Sequence, residues 1–171
     1  MQVSTDAIRA LREQTSAGIM ECKRALQETS GDLDAAAAIL RERGYEIAKK
    51  KEERITSQGL IECYIHTGGR IGAMVQLDCE SDFVARTPEF KELAHDIAMQ
   101  VVATCPLYIS KNDVPEGSEA EDDSLLLSQQ FIKDPSKSIE DIIAEAVAKV
   151  RENIKIRRFV RFELGSDGHN E

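Results

Sequence analysis

The sequence predicts an α+β protein: a small three-helix bundle, a helical linker, and a core domain with a three-stranded antiparallel sheet packed against helices in the order β-β-α-α-β. Three observations carry this. Residues 1–45 hold three short apolar-periodic segments separated by Thr15-Ser16-Ala17-Gly18 and Thr29-Ser30-Gly31-Asp32. Residues 59–79 hold two β-like runs around Gly68-Gly69. Phe90, Leu93, Ala94, Ile97, Ala98, Val101 and Val102 then form the clearest amphipathic stripe in the chain.

Composition sets the bounds. A chain of 171 residues suits one or two small domains. At 42% hydrophobic and 31% charged, it has the make-up of an ordinary globular protein. A net charge of −9 argues against general binding to phosphate backbones, which needs clustered Lys and Arg. It suits a protein partner with basic patches. Cys22, Cys63, Cys79 and Cys105 show no C-x-x-C spacing, so they read as reduced, mostly buried thiols. The first 20 residues contain Asp6, Arg9, Arg12 and Glu13 and no apolar signal core, and no apolar run approaches a membrane span. A cytoplasmic address is expected.

In the bundle, Ser4, Thr5 and Asp6 offer capping oxygens to a helix carrying Ile8 and Leu11. The second helix carries Ile19, Cys22, Ala25 and Leu26. The third carries Leu33, Ala36, Ala37 and Leu40, with Gly44 as its C-terminal stop. So small a bundle has a thin core and leaves apolar surface for a partner. From spacing alone Ile19 is core and Met20 a gap-filler; docking through an exposed helix start is the alternative. Residues 46–56 read as a solvated helical linker, because Glu52 and Glu53 dilute Lys49-Lys50-Lys51 as a basic patch.

The core domain is expected over 57–165, followed by a flexible tail at 166–171. Ala73, Val75, Leu77 and Cys79 alternate with Met74, Gln76 and Asp78 on the second strand. Thr87-Pro88 is a strong helix start, and Pro106 a stop. His95 and Asp96 fall off the apolar stripe and read as solvated. Residues 112–124 carry six acidic side chains with Pro115 and Gly117, and predict an acidic loop that leads toward a short helix at Ser124–Leu127. Asp134-Pro135-Ser136 reads as a break, and Ser138-x-x-Asp141 as a capping box before Ile139, Ile142, Ile143, Ala146 and Val150. In the last strand Ile156, Arg158, Val160, Phe162 and Leu164 share one face, which puts an arginine oddly in a core face. Leu60, Tyr64, Met74 and Phe159 are expected on strand faces that the helices leave uncovered, available to a second copy.

No catalytic constellation emerges. Cys79 with His66 or His95 is the one nucleophile–base candidate, but no glycine elbow or local Cys-His signature accompanies it. Asp78, Glu80 and Asp82 are close in sequence, yet no EF-hand spacing follows, and no phosphate loop occurs. No catalytic residue, cofactor or metal site is therefore assigned. The residues themselves point to an interaction module, with Ser81-Asp82-Phe83-Val84 on the connection between a strand and the longest helix.

At this point a family resemblance enters. Leu11 to Leu26, which includes Thr15-Ser16-Ala17-Gly18-Ile19-Met20-Glu21-Cys22-Lys23, resembles the N-terminal signature of bacterial elongation factor Ts, the guanine nucleotide exchange factor family acting on elongation factor Tu. Asp78 to Arg86 resembles its central Thr-Asp-Phe-Val-Ala motif, with Ser81 in place of Thr. Phe131 to Ser136 and Glu152 to Phe159 resemble its C-terminal half. The resemblance implies a UBA-like N-terminal bundle that docks on the GTPase through Arg12, Ile19 and Met20. It implies a wedge, Asp82 and Phe83, inserted near the magnesium and phosphate site so that GDP leaves. Asp82 either competes near the magnesium or hydrogen-bonds partner backbone; both remain open. Longer members carry a second core half, a coiled-coil insertion and a C-terminal module. Resemblance to short members implies a homodimer. No direct nucleic-acid or membrane contact is implied. The competing readings are an adaptor that binds through the bundle without driving exchange, and a thiol enzyme using Cys79 and His66.

Overall fold

The structure is a computed structural model that describes residues 3–165. The tail expected at 166–171 lies outside the described residues. In chain order the elements are α1 (Thr5–Thr15), α2 (Ile19–Glu28), α3 (Leu33–Lys51), β1 (Gln58–Ile65), β2 (Ile71–Cys79), α4 (Asp82–Ala85), α5 (Pro88–Thr104), β3 (Gln130–Phe131), β4 (Asp134–Ser138), α6 (Ile139–Val150) and β5 (Ile154–Glu163). They fall into two compact units. One holds the described residues up to Arg54 together with Ile143–Asn153; the other holds Ile55–Ile142 and the described residues from Ile154 on.

In the first unit, capping follows the sequence signals. Ser4 Oγ accepts from the Ala7 N–H at 3.1 Å, and the Asp32 carboxylate accepts from the Ala35 N–H at 3.0 Å. Leu11, Cys22, Ala25, Leu26 and Ala36 form the buried centre, with Ile8, Ala37 and Leu40 packed around it. Two expectations fail here. Gly44 does not stop α3, which runs on to Lys51 and so takes in the first residues assigned to the linker. A glycine inside a helix costs about 1 kcal/mol against alanine. Here its missing side chain faces α6: a Cβ on Gly44 would lie 3.8 Å from the Ala144 carbonyl oxygen and 4.0 Å from Ala148 Cβ. The end of α6 thus packs on α3, and the unit is more than three consecutive helices. Asn153 Nδ2 adds hydrogen bonds to the carbonyls of Glu52 and Arg54, at 3.2 and 2.9 Å. The second failure is Ile19, which is exposed rather than core, as is Met20.

The second unit is built on an antiparallel sheet in the order β1-β2-β5. Directly paired residues share a face. One face therefore carries Leu60, Glu62 and Tyr64, then Ala73, Val75, Leu77 and Cys79, then Ile154, Ile156, Phe159 and Arg161. Helix α5 packs on this face. Its entire predicted stripe from Phe90 to Val102 is buried. Arg161 Nε donates to the Val102 carbonyl at 3.2 Å, and His95 stands edge-on to Tyr64 at 5.5 Å. His95 also meets Glu62, and Asp96 meets Lys133, so neither is merely solvated.

A β-bulge resolves the odd arginine. Leu77 pairs with Ile156 and Gln76 with Arg158, so Arg157 is the extra residue and the alternation of β5 inverts there. Ile156 faces the core; Arg158, Val160 and Phe162 do not. The bulge thus turns Phe159 to the helix-covered face, where Leu60 and Tyr64 also lie opposite Leu77 and Ala73, against expectation, and only Met74 of that group lies on the open one. The open face carries Ile61, Cys63, Ile65, Met74, Val160 and Phe162 toward the hairpin end. At the other end, Arg158 Nε donates to Gln76, Gln76 Nε2 to Asp78, and Arg157 Nε to Asp78 at 2.8 Å.

Between α5 and α6 the chain adds elements absent from the predicted order. Asp134–Ser138 is strand β4, paired with β3, not a break. Buried Gln100 holds this hairpin: its Nε2 donates to the Gln130 carbonyl and its Oε1 accepts from the Ile132 N–H, both at 3.0 Å. The acidic loop is closed at its base by a parallel bridge between Tyr108 and Leu125, and it ends in single 3-10 turns at Asp122–Ser124 and Leu126–Ser128. The Ser138–Asp141 capping box forms as read, with reciprocal bonds of 2.8 and 3.0 Å.

Candidate functional site

The connection after β2 is itself helical. Ser81 has extended backbone and starts α4, a single turn of Asp82-Phe83-Val84-Ala85. Its Oγ accepts from the Val84 N–H at 3.4 Å. At the far end the Thr87 hydroxyl donates to the Val84 carbonyl at 2.8 Å and accepts from the Phe90 N–H at 3.3 Å. Thr87 thus closes one helix and opens the next. The Cys79 thiol donates to the Ser81 carbonyl at 3.1 Å, anchoring the turn to the buried end of β2. Ala85 is buried beneath it, and α4 packs on β1 and β2.

This anchoring leaves Phe83 projecting. Its side chain is 82% exposed, although a phenyl ring gains much by leaving water. Asp82 is half-buried beside it and pairs with Arg86 at 2.9 Å, one turn on. Reading the segment only as a connection hid this pair; i, i+4 spacing reveals it once the turn is helical. Val84 and Ser81 are partly covered. Arg12, Ile19 and Met20 in the other unit are all exposed, the last two at 55% and 63%.

The nucleophile–base pair does not assemble. Cys79 is buried and pairs with Gln58 at one end of the hairpin, while His66 follows Ile65 at the other and contacts Tyr64 at 3.1 Å. His95 is committed to Glu62. The carboxylates of Asp78 and Asp82 turn to different arginines, Arg157 and Arg86. Of the four cysteines, Cys22 and Cys79 are buried while Cys63 and Cys105 are exposed, so half rather than most are covered. Burial pushes the Cys22 thiol above its ordinary value. Among the described residues no helix is long and apolar enough to cross a membrane.

An aromatic so exposed on a doubly capped turn is the geometry of a protein-docking element. Comparison with known proteins makes this specific. The family model described as Elongation factor TS matches residues 3–124. An Elongation factor Ts of Herpetosiphon aurantiacus is 44% identical over 198 aligned residues, covering 98% of this chain and all of the relative. One of Carboxydothermus hydrogenoformans is 44% identical, covering 95% of this chain and 89% of its own. One of Methylacidiphilum infernorum is 43% identical over 98% of both. The chain belongs to the elongation factor Ts family. That family comprises translation elongation factors whose role in protein biosynthesis is guanine nucleotide exchange.

Proposed function

We propose that this protein binds elongation factor Tu carrying GDP and promotes its replacement by GTP, with Asp82 and Phe83 as the inserted wedge and Ser81 and Val84 as its flanks. The observation that carries the reading is Phe83, an aromatic 82% exposed on a turn capped at both ends. A ring held this way loses little conformational freedom on docking and gains its whole burial there. Ser81 in place of Thr keeps the capping oxygen. Asp82 either competes near the partner's magnesium or hydrogen-bonds partner backbone.

The mechanism is linkage between two ligands of one GTPase. By whatever factor this protein weakens GDP, GDP weakens this protein. No bond is made or broken, and the nucleotide and magnesium belong to the partner. The N-terminal unit, read as UBA-like, docks on the GTPase domain through Arg12, Ile19 and Met20. The core, from about residue 57 onward, carries the wedge and pairs with a second copy. Support for that homodimer is the open sheet face with exposed Ile61, Ile65, Met74 and Phe162, an apolar surface that water otherwise meets. The setting is cytoplasmic, without direct contact to nucleic acid or membrane.

The test is release of a fluorescent GDP analogue from elongation factor Tu. Addition of this protein accelerates release; Phe83→Ala largely removes the effect while leaving the fold intact. Unchanged release with persistent binding overturns the exchange reading in favour of an adaptor.

A further inference from the structure

At the end of α6 the backbone turns left-handed at Arg151, with φ of 62°. The Arg151 N–H caps the helix by donating to the Val147 carbonyl at 2.9 Å. This position suits glycine and strains any side chain with a Cβ. The guanidinium reaches across to Glu21 in the first turn of α2, Nη2 to Oε1 at 2.5 Å. The other carboxylate oxygen lies over the start of that helix: a Cβ on Gly18 would stand 3.6 Å from Glu21 Oε2. The arginine is thereby brought to the helix start from which Ile19 and Met20 project.

Stability does not account for it. The two side chains are 55% and 31% exposed, and an ion pair so open to water contributes little. That small gain does not offset a left-handed arginine where glycine would sit without strain. We infer that Arg151 is a further partner-binding residue, held by Glu21 so that its guanidinium forms the charged rim of the Ile19–Met20 surface and takes a carboxylate on the GTPase. The inference rests on the proposed docking role of that surface. Interfaces pair an apolar centre with a polar rim, and arginine anchors them well because its planar fork matches a carboxylate.

Nothing in the local pattern around Arg151 announces this, because its partner stands 130 residues away. The test is release of a fluorescent GDP analogue from elongation factor Tu, titrated with wild type, Arg151→Gly and Arg151→Lys, alongside melting temperatures. Arg151→Gly is expected to raise the half-saturating concentration by roughly fivefold. The maximal release rate stays unchanged and the melting temperature does not fall, since glycine relieves the strain. Arg151→Lys restores part of the affinity. An Arg151→Gly protein that titrates like wild type overturns the inference, and so does one whose maximal rate and melting temperature fall together. A wild type that accelerates nothing overturns the exchange reading and this inference with it, and is recognised because the unaltered protein itself fails.

Discussion

The thiol of Cys79 hydrogen-bonds to the carbonyl of Ser81, 3.1 Å away, and so ties the last buried residue of β2 to the cap of the exposed turn. Through this bond the sheet orients α4. The turn has only four residues, too few to be helical by itself. Its geometry depends on its two caps and on burial of Ala85.

Removing the first cap tests that dependence. Ser81→Ala deletes the acceptor for the Val84 N–H, a loss of about 1 kcal/mol that converts to roughly fivefold slower exchange. Ser81→Thr keeps the oxygen and is expected to match wild type. Equal GDP-release rates for the alanine variant would show that the turn holds without its cap.

Phe83→Ala separates presentation from stability. Because the ring is 82% exposed, its removal leaves the melting temperature unchanged. Exchange is expected to fall on the order of 30-fold, the equivalent of a ~2 kcal/mol interface anchor. A large drop in melting temperature would instead make Phe83 a structural residue.

Gly44 gives a prediction of opposite sign. A Cβ there meets its neighbours at 3.8–4.0 Å, which is ordinary contact, and no positive φ opposes it. Gly44→Ala is expected to stabilise the fold by about 0.5–1 kcal/mol through helix propensity. Gly44→Leu overfills the approach to Ala144 and destabilises. Urea midpoints for the two variants check both signs.

The open sheet face predicts an assembly. Phe162→Arg places a charge among Ile61, Ile65 and Met74 and is expected to yield monomers by light scattering. In wild type, alkylation of Cys63 on that face is slow relative to exposed Cys105, and the substitution removes the protection. A monomeric wild type at micromolar concentration sinks the assembly.

Cys22 carries a pH signature. Burial raises its thiol above the ordinary value of 9.0, so the folded state holds the proton more tightly than the unfolded chain. Its contribution to stability is complete below 9.0 and is lost as pH rises through the raised value. Wild type is expected to lose part of its stability advantage over Cys22→Ala above that pH. A constant difference in melting temperature across the range would contradict it.

Much of the fold was legible because it is written locally. The caps Ser4, Asp32, Thr87 and Ser138 stand directly before the helices they start, and the stripe from Phe90 to Val102 needs only a period of 3.6. The hairpin around Gly68-Gly69 is equally local. Asp82-Phe83 stands out in the sequence through its motif, whereas the helical turn that displays the pair and the ion pair of Asp82 with Arg86 do not, because four residues carry no periodicity to read.

By itself the sequence determined the three N-terminal helices, the β1–β2 hairpin, α5, α6 and β5 in that order, and the residues at the strand-to-helix junction, since caps, turns and periodicity act over a few neighbours. Only the tertiary structure decided that Gly44 is a packing contact rather than a stop, that α6 returns to the first unit, and that Arg157 is a bulge which turns Phe162 outward and Phe159 inward. Each of these depends on which distant strand or helix lies opposite. One unpaired residue in a ladder inverts every side chain beyond it, and no pattern within β5 alone carries that information.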